Sequence, residues 1–365
     1  MRMTFITHDL GCGGAERVLS VVANYWAERG HAVTIITTSS AVASFPLHPG
    51  IRHTGLGLAG ASGNMRRAVV ANLRRWAALR RAVVESRPHV VISFSFQSNV
   101  LTVLATRGLE MPVVICEHTD VRRFRAGAMW RTLQLMTYPL ADAVTCLTPN
   151  ILDDLRPLVG DRGYLLPNPI ALPPDQASVP ELPTGKLLLA MGRLHPVKGF
   201  DSLLRAFAPL SRRHDDWHLL ILGEGRERTR LQQLLATLGL EGRATLYGHV
   251  RDPFPILRRA ELFALSSSRE GFPMAMCEAM ASGVPVVSFD CWSGSNYIIR
   301  HGYDGWLVPP GDEQALSRSL ERLMMDDDER RRLGAHARAV VDRFSLEVVL
   351  GLWNQMFRRL GVEPI

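Results

Sequence analysis

Short apolar runs alternate along this chain with longer amphipathic stretches. Met3–Thr7, Ala32–Thr37, His89–Phe94, Val113–Cys116 and Ala143–Leu147 each read as a strand. Helical patterns such as Ala15–Arg29 and Met65–Arg87 lie between most of them. The rhythm restarts with Lys186–Met191, His218–Leu222, Ala244–Tyr247, Leu262–Leu265, Pro285–Phe289 and Trp306–Val308. After Trp306–Val308 only helical patterns follow, the last over Ser345–Leu360. Strand–helix alternation on this scale predicts parallel sheets covered on both faces. Two such series predict two Rossmann-like α/β domains. The break falls in Leu166–Gly185, which holds six Pro and no helical period and so reads as a linker. The expected division is 1–168, a linker over 169–185, a second domain over 186–344 and a C-terminal helix over 345–365. Open α/β sheets bind ligands beyond the carboxyl ends of their strands. A two-domain version is expected to place its site in the cleft between the domains.

Composition narrows the class. A chain of 365 residues suits two domains, and 47% hydrophobic with 21% charged residues excludes disordered and fibrous classes. No stretch approaches the length of a membrane-spanning apolar helix. The start, MRMTFITHDL, meets His8 and Asp9 too early for an export signal. The five Cys, at 12, 116, 146, 277 and 291, form no CxxC pair, so reduced thiols in a cytoplasmic setting are expected. The charge is uneven. Residues 1–170 hold 18 Arg and no Lys against 11 acidic residues, which is the whole of the net +7. Residues 171–365 balance 24 against 24. A basic first half predicts an anionic partner: nucleic acid, an anionic bilayer or a phosphorylated substrate.

Three segments carry candidate chemistry. His8-Asp9-Leu10-Gly11-Cys12-Gly13-Gly14-Ala15-Glu16 follows the first strand and enters a helix. Its glycines admit close ligand approach, and a helix N-terminus offers N–H groups to an anion. The spacing is not that of a P-loop, and a plain strand–helix turn reads the same way. Met191-Gly192-Arg193-Leu194-His195-Pro196-Val197-Lys198-Gly199 follows the first strand of the second series. Arg193 and Lys198 near one strand end can clamp a diphosphate, although two solvated charges read alike. The strongest segment is Ser266 to Val287. A loop holds Glu270, a helix opens at Pro273 and contains Glu278, and Gly283-Val284-Pro285 ends it. An anion site at a helix N-terminus, flanked by two carboxylates that accept hydrogen bonds from hydroxyls, suits a nucleoside diphosphate sugar.

With those residues in view, the chain resembles the retaining GT-B glycosyltransferases of family 4. The likeness rests on Glu270-x7-Glu278, Arg193 with Lys198, Gly13-Gly14-Ala15-Glu16 and the hinge Leu166-Pro167-Asn168-Pro169. It includes Gly223-Glu224-Gly225, Tyr247-Gly248-His249-Val250 and the turn Asn296–Gly305 before Trp306-Leu307-Val308-Pro309. The ordered set covers essentially the whole chain. The resemblance implies that Glu278 binds the ribose and Glu270 the donor sugar. It implies that Arg193 and Lys198 hold the diphosphate, with Gly192 beside them. The turn through Gly271 and the amides of Phe272, Met274 and Ala275 would add phosphate donors. Gly13 and Gly14 would approach the phosphate from the first domain, and the backbone at Val250 would read the base. His118, after Val113–Cys116, would face the donor sugar, with Glu117 and Asp120 as further candidates for acceptor hydroxyls. No metal and no cofactor are implied, and the chain has neither a DxD motif nor a His/Cys cluster with ligand spacing. Transfer with retention would follow, the diphosphate taking negative charge beside two fixed cations.

The acceptor is read from the basic half. On a helix over Met65–Arg87, Arg67, Arg74 and Arg81 form one stripe, flanked by Arg66 and Arg80. Met65, Val69, Leu73, Trp76 and Val83 fall on the other face. Arg122, Arg123 and Arg125 form a second cluster. An all-Arg half is suited to phosphate, and a polyprenyl-diphosphate-linked acceptor at the anionic inner face of a bacterial membrane is expected. A solvated helix face with a soluble acceptor is the alternative. A nucleotide-sugar epimerase or a phosphorylase shares the fold, but no cofactor-lysine motif is apparent. A non-catalytic partner subunit would not need Glu270, Glu278, Arg193 and Lys198 together. Nucleic-acid binding has only the basic balance in its favour, without a recognition motif.

Overall fold

The computed structural model describes residues 1–11, 13–40, 42–58, 65–118, 127–170, 181–292 and 294–362. The side chains of 65–69 lie outside that description. The chain divides into two compact units. The first comprises Met1–Asn168 with Val349–Ile365, and the second Pro169–Val348.

The first unit runs β1 Arg2–Thr7, α1 Gly14–Glu28, β2 Ala32–Thr37, β3 Arg52–Gly55, α2 Met65–Ser86, β4 Val90–Phe94 and α3 Phe96–Thr106. It continues with β5 Val113–Glu117, α4 Ala128–Thr137, β6 Ala143–Cys146, α5 Pro149–Val159 and β7 Gly163–Leu165. These strands form one seven-stranded sheet in the order β3-β2-β1-β4-β5-β6-β7. All its pairings are parallel. The sequence pattern misses β3 and β7. Both are short edge strands, and Arg52-His53-Thr54-Gly55 has no apolar run because only one side of an edge is paired.

Parallel crossovers are right-handed, so α1, which steps from β1 out to β2, covers one face. Helices α2, α3, α4 and α5 step the other way and cover the opposite face. The last helix of the chain returns to the α1 side, where Phe357 meets Trp26 with ring centroids 6.0 Å apart.

The second unit runs β8 Lys186–Met191, α6 Phe200–Ser211, β9 Trp217–Leu222, α7 Arg228–Thr237, β10 Ala244–Gly248, α8 Phe254–Leu257 and β11 Ala260–Leu265. It ends with α9 Met274–Ala281, β12 Val286–Phe289, α10 Ser295–Ile298, β13 Trp306–Val308, α11 Glu313–Met325, α12 Asp327–Ala337 and α13 Val340–Phe344. Helix α14, Leu346–Arg359, closes the chain. Six parallel strands take the order β10-β9-β8-β11-β12-β13. Every residue of β9 is buried, as a strand covered on both faces requires. The core packs Leu188, Ala190, Leu219 and Ile221 of the sheet against Leu203, Phe207 and Leu210 of α6. Part of the Pro-rich segment is anchored: Ile170 donates its N–H to Phe344 O at 2.8 Å. Residues 171–180 lie outside the described residues.

Helix α2 packs on the first sheet by part of its length. Its core contacts are Leu79 and Val83, which pack under Ile6, Ile36 and Val91. Leu73 and Trp76, on the face opposite the Arg stripe, are 60% and 37% exposed. The helix is 22 residues long, and the described side chains that it sends into this cluster, Leu79, Ala82 and Val83, all lie in its second half. Arg80 does not join a solvated stripe. Its guanidinium donates to Ala105 O and Arg107 O, both at 2.8 Å, closing the end of α3.

Candidate active site

In each doubly wound sheet the strand order reverses at one point, and the loops leaving the two central strands there diverge and form a crevice. In the second unit those strands are β8 and β11. The loop after β8 carries Gly192, Arg193 and Lys198, and the loop after β11 carries Glu270 and Gly271. They meet directly: Lys198 Nζ lies 2.6 Å from Glu270 Oε1. Ser267 Oγ donates to the same oxygen at 2.6 Å, and Ser266 Oγ donates to Lys198 O at 2.9 Å. In the sequence neither serine has a legible role. Their only trace there is the Ser266-Ser267-Ser268 run at a strand end.

Backbone packs on backbone beneath this pair. Gly199 has φ +61°, and a Cβ there would overlap Ser266 O. Gly223, after β9, has φ +139°, and its Cβ would overlap Gly192 O. Only glycine allows these loops to close on one another.

Helix α9 begins behind the loop. Its first internal bonds run from Met276 and Cys277 N–H to Pro273 O, both at 3.1 Å. The preceding amides of Met274 and Ala275 therefore lie outside the helical ladder. The Phe272 ring packs edge-on against Phe344 at 5.2 Å, which anchors the turn. Glu278 is buried at 2% exposure inside α9. Val250 follows β10 at its carboxyl end and is half-buried. Arg193 is exposed beyond β8. The surroundings are cationic: after burial, Arg226 and Arg193 are the main causes that lower the His195 pKa. This end of the second unit's sheet thus offers a lysine, arginines and helix amides to an anion, with carboxylates beside them.

In the first unit the reversal lies between β1 and β4. Gly13 caps α1 in extended conformation and Gly14 opens it, with open space where a Cβ of Gly14 would lie. Cys12 lies outside the described residues. His118 follows β5, its ring centroid 5.2 Å from that of Phe94. Burial lowers its pKa to about 4. The imidazole is therefore neutral at physiological pH and can donate or accept a hydrogen bond without charge. In an unfolded chain it titrates near its ordinary 6.5. Between pH 6.5 and 4 the unfolded chain then binds the extra proton, so this group withdraws stability as pH falls through that window. His118→Gln should flatten the decline of the urea midpoint between pH 6.5 and 4.5. An unchanged pH slope would contradict the assignment.

Glu117 was a candidate for acceptor hydroxyls. It is fully buried, and Tyr138 donates its hydroxyl to Glu117 Oε2 at 2.6 Å. Asn99 Nδ2 ties the same strand through Cys116 O at 2.9 Å. Tyr138 lies 21 residues away, so sequence spacing gave no sign of the pair. Arg122, Arg123, Arg125 and Asp120 lie outside the described residues, as does the side chain of Arg67. Arg74 and Arg81 are exposed on α2. Among the described residues no helix is long and apolar enough to cross a membrane. Burial pushes the Cys116 and Cys291 thiols up to about 12, so neither is a nucleophile at neutral pH.

Two doubly wound domains, with a cationic loop facing a carboxylate-bearing loop at a strand-order reversal, define the GT-B class of glycosyltransferases. The profile of Glycosyltransferase Family 4 matches residues 12–172, and that of Glycosyl transferases group 1 matches residues 174–340. The chain belongs to this family of GT-B glycosyltransferases. It is 27% identical over 357 residues to the GalNAc-α-(1→4)-GalNAc-α-(1→3)-diNAcBac-PP-undecaprenol α-1,4-N-acetyl-D-galactosaminyltransferase of Campylobacter jejuni, covering 98% of each chain. It is 23% identical to the amylovoran biosynthesis glycosyltransferase AmsD of Erwinia amylovora, over 94% of this chain and 95% of that one. Its fold matches the sucrose-phosphate synthase of Thermosynechococcus elongatus with a TM-score of 0.84 at 19% identity, covering 99% of both chains. The Anabaena protein HepE, solved in complex with UDP, matches with a TM-score of 0.77 at 19% identity, over 99% of this chain and 100% of that one. The chain is a glycosyltransferase.

Proposed function

We propose that this chain transfers a sugar, with retention and without a metal, from a nucleoside diphosphate sugar to a polyprenyl-diphosphate-linked saccharide. UDP is the nucleotide of choice, and the work is done peripherally at the inner face of the cell membrane. The observation that carries the donor reading is the Lys198–Glu270 contact at the β8/β11 reversal, with buried Glu278 in the helix behind it. The acceptor reading is supported by the all-Arg first half and by the undecaprenol-linked substrate in the name of the Campylobacter jejuni relative.

The bond broken is that between the anomeric carbon and the β-phosphate oxygen, and the bond formed joins that carbon to the acceptor oxygen. The acceptor proton passes to a β-phosphate oxygen on the same face, which needs no protein nucleophile. Negative charge grows on the diphosphate as the sugar leaves. Lys198, Arg193 and the amides of Met274 and Ala275 meet it with charge and dipoles already in place. Glu270 then turns from Lys198 to the sugar hydroxyls.

A thermal-shift screen of UDP-, GDP- and ADP-sugars, followed by transfer to a lipid-diphosphate saccharide, tests the reading. A protein that none of them stabilises would refute the donor class. The two carboxylates separate further. Glu278→Gln should weaken UDP binding, because its partner is the ribose. Glu270→Gln should leave UDP binding intact, since Lys198 is released to the phosphates, while transfer falls. Calorimetry showing equal losses of UDP binding for both variants would remove the assignment.

A further inference from the structure

The end of β5 is fastened from its helix-covered side. In the register of β4 and β5, Phe94 lies opposite Cys116. Successive side chains alternate along a strand, so Phe94, Cys116 and His118 share one face and Glu117 takes the other. The 5.2 Å contact between the Phe94 and His118 rings bears this out. On the opposite face Glu117 is wholly buried and accepts from the Tyr138 hydroxyl at 2.6 Å. Tyr138 opens the short 3-10 turn Tyr138–Leu140 behind α4 and is itself buried. Its ring packs on Phe96 of α3 at 6.4 Å, and Asn99 of α3 and Gln134 of α4 flank its hydroxyl. Burial, and then the charge of Glu117, pushes that hydroxyl well above its ordinary range, so it keeps its proton and donates. Asn99 also holds the strand itself, through Nδ2 on Cys116 O at 2.9 Å.

A carboxylate with no exposure is an unfavourable way to fill a core. Its burial costs desolvation, and apolar side chains of the same volume often stabilise a fold better. What a buried polar network does supply is fixed geometry, because each hydrogen bond admits a narrow range of distance and direction. Here the geometry is fixed at the two residues before His118. Cys116 O is held from α3, and the Glu117 side chain is held from the turn behind α4. The strand end is thereby kept from rotating about its own axis, the motion that would swing the imidazole off its face.

We infer that Glu117 and Tyr138, with Asn99, are positioning residues for transfer: they set the direction of the His118 imidazole without touching substrate. The inference rests on the reading that His118 meets the donor sugar. A misplacement of about 1 Å can lower a rate 10²-fold. The network therefore acts on turnover, and it leaves nucleotide binding to the loops of the second unit.

The test is a double-mutant cycle. Tyr138→Phe keeps the ring and removes the proton that Glu117 accepts. It should lower kcat for transfer about 10-fold or more, the scale of a small misplacement at the reacting centre. UDP affinity, the KM for the donor and the circular dichroism should stay as in wild type. In a His118→Ala background the same substitution should lower kcat no further, since residues that act as a unit are not additive. Asn99→Ala, which releases Cys116 O, gives the same readout if Tyr138→Phe does not fold. Wild-type turnover in Tyr138→Phe, or the same fold-loss with and without His118, overturns the positioning role and leaves the reading of His118 standing. A parallel loss of UDP affinity would make the pair a support of the fold alone, and also overturns it. Full turnover in His118→Ala overturns both.

Discussion

Lys198→Ala should lower transfer about 10²-fold or more, with Arg193→Ala close behind, while neither variant loses its fold. The scale is that of removing one preorganised donor from a developing oxyanion. Both side chains stand on the loop after β8, outside the core, so thermal unfolding should hardly move. Lys198 carries a second consequence. Its ammonium lies 2.6 Å from Glu270 Oε1, and its removal leaves that carboxylate with Ser267 and without this cation. Lys198→Ala should therefore disturb sugar positioning as well as the diphosphate and lose more than Arg193→Ala. Lys198→Arg should recover only part of the activity, because a forked guanidinium does not fit where a compact ammonium sits. Turnover measured at saturating donor decides it, and near-normal rates in either Ala variant would remove the diphosphate assignment.

Gly223→Ala should damage the protein in a different way. The residue adopts φ +139°, and its Cβ would overlap the carbonyl of Gly192. Strain and overlap together should cost about 2–6 kcal/mol. The loops after β8 and β9 must then part, so donor binding should fall together with stability. Gly14→Ala is the contrasting case. Open space surrounds its Cβ position at the start of α1, and alanine is the better helix former there. That variant should unfold no earlier than wild type, yet lose donor affinity if a phosphate approaches its backbone. Urea unfolding and UDP calorimetry on the two variants separate the effects. A Gly223→Ala protein as stable as wild type would contradict the packing, and unimpaired UDP-sugar binding by Gly14→Ala would remove that residue from the site.

The alternation of apolar runs with helical patterns determined two parallel α/β units, because a strand buried on both faces is apolar along its whole length, as Trp217–Leu222 is. It could not reveal β3 and β7, whose edge positions demand no such run. The spacing of Arg193, Lys198, Glu270 and Glu278 was legible because the first three lie in loops beyond strand ends, where an α/β sheet leaves room for a ligand, and Glu278 lies in the helix that follows. Sequence alone also placed an uncompensated excess of Arg in the first half. Only the tertiary structure decided which partners meet. Lys198 and Glu270 are 72 residues apart, and they touch because β8 and β11 are neighbours in the sheet. Glu117 was open to a reading as an acceptor ligand until Tyr138 folded over it. The outward face of α2 was likewise undetermined, since helical periodicity says which residues share a side and not which side meets the core. Leu73 and Trp76 share spacing with the buried side of α2, yet among the described side chains those that reach the cluster under the sheet are Leu79, Ala82 and Val83.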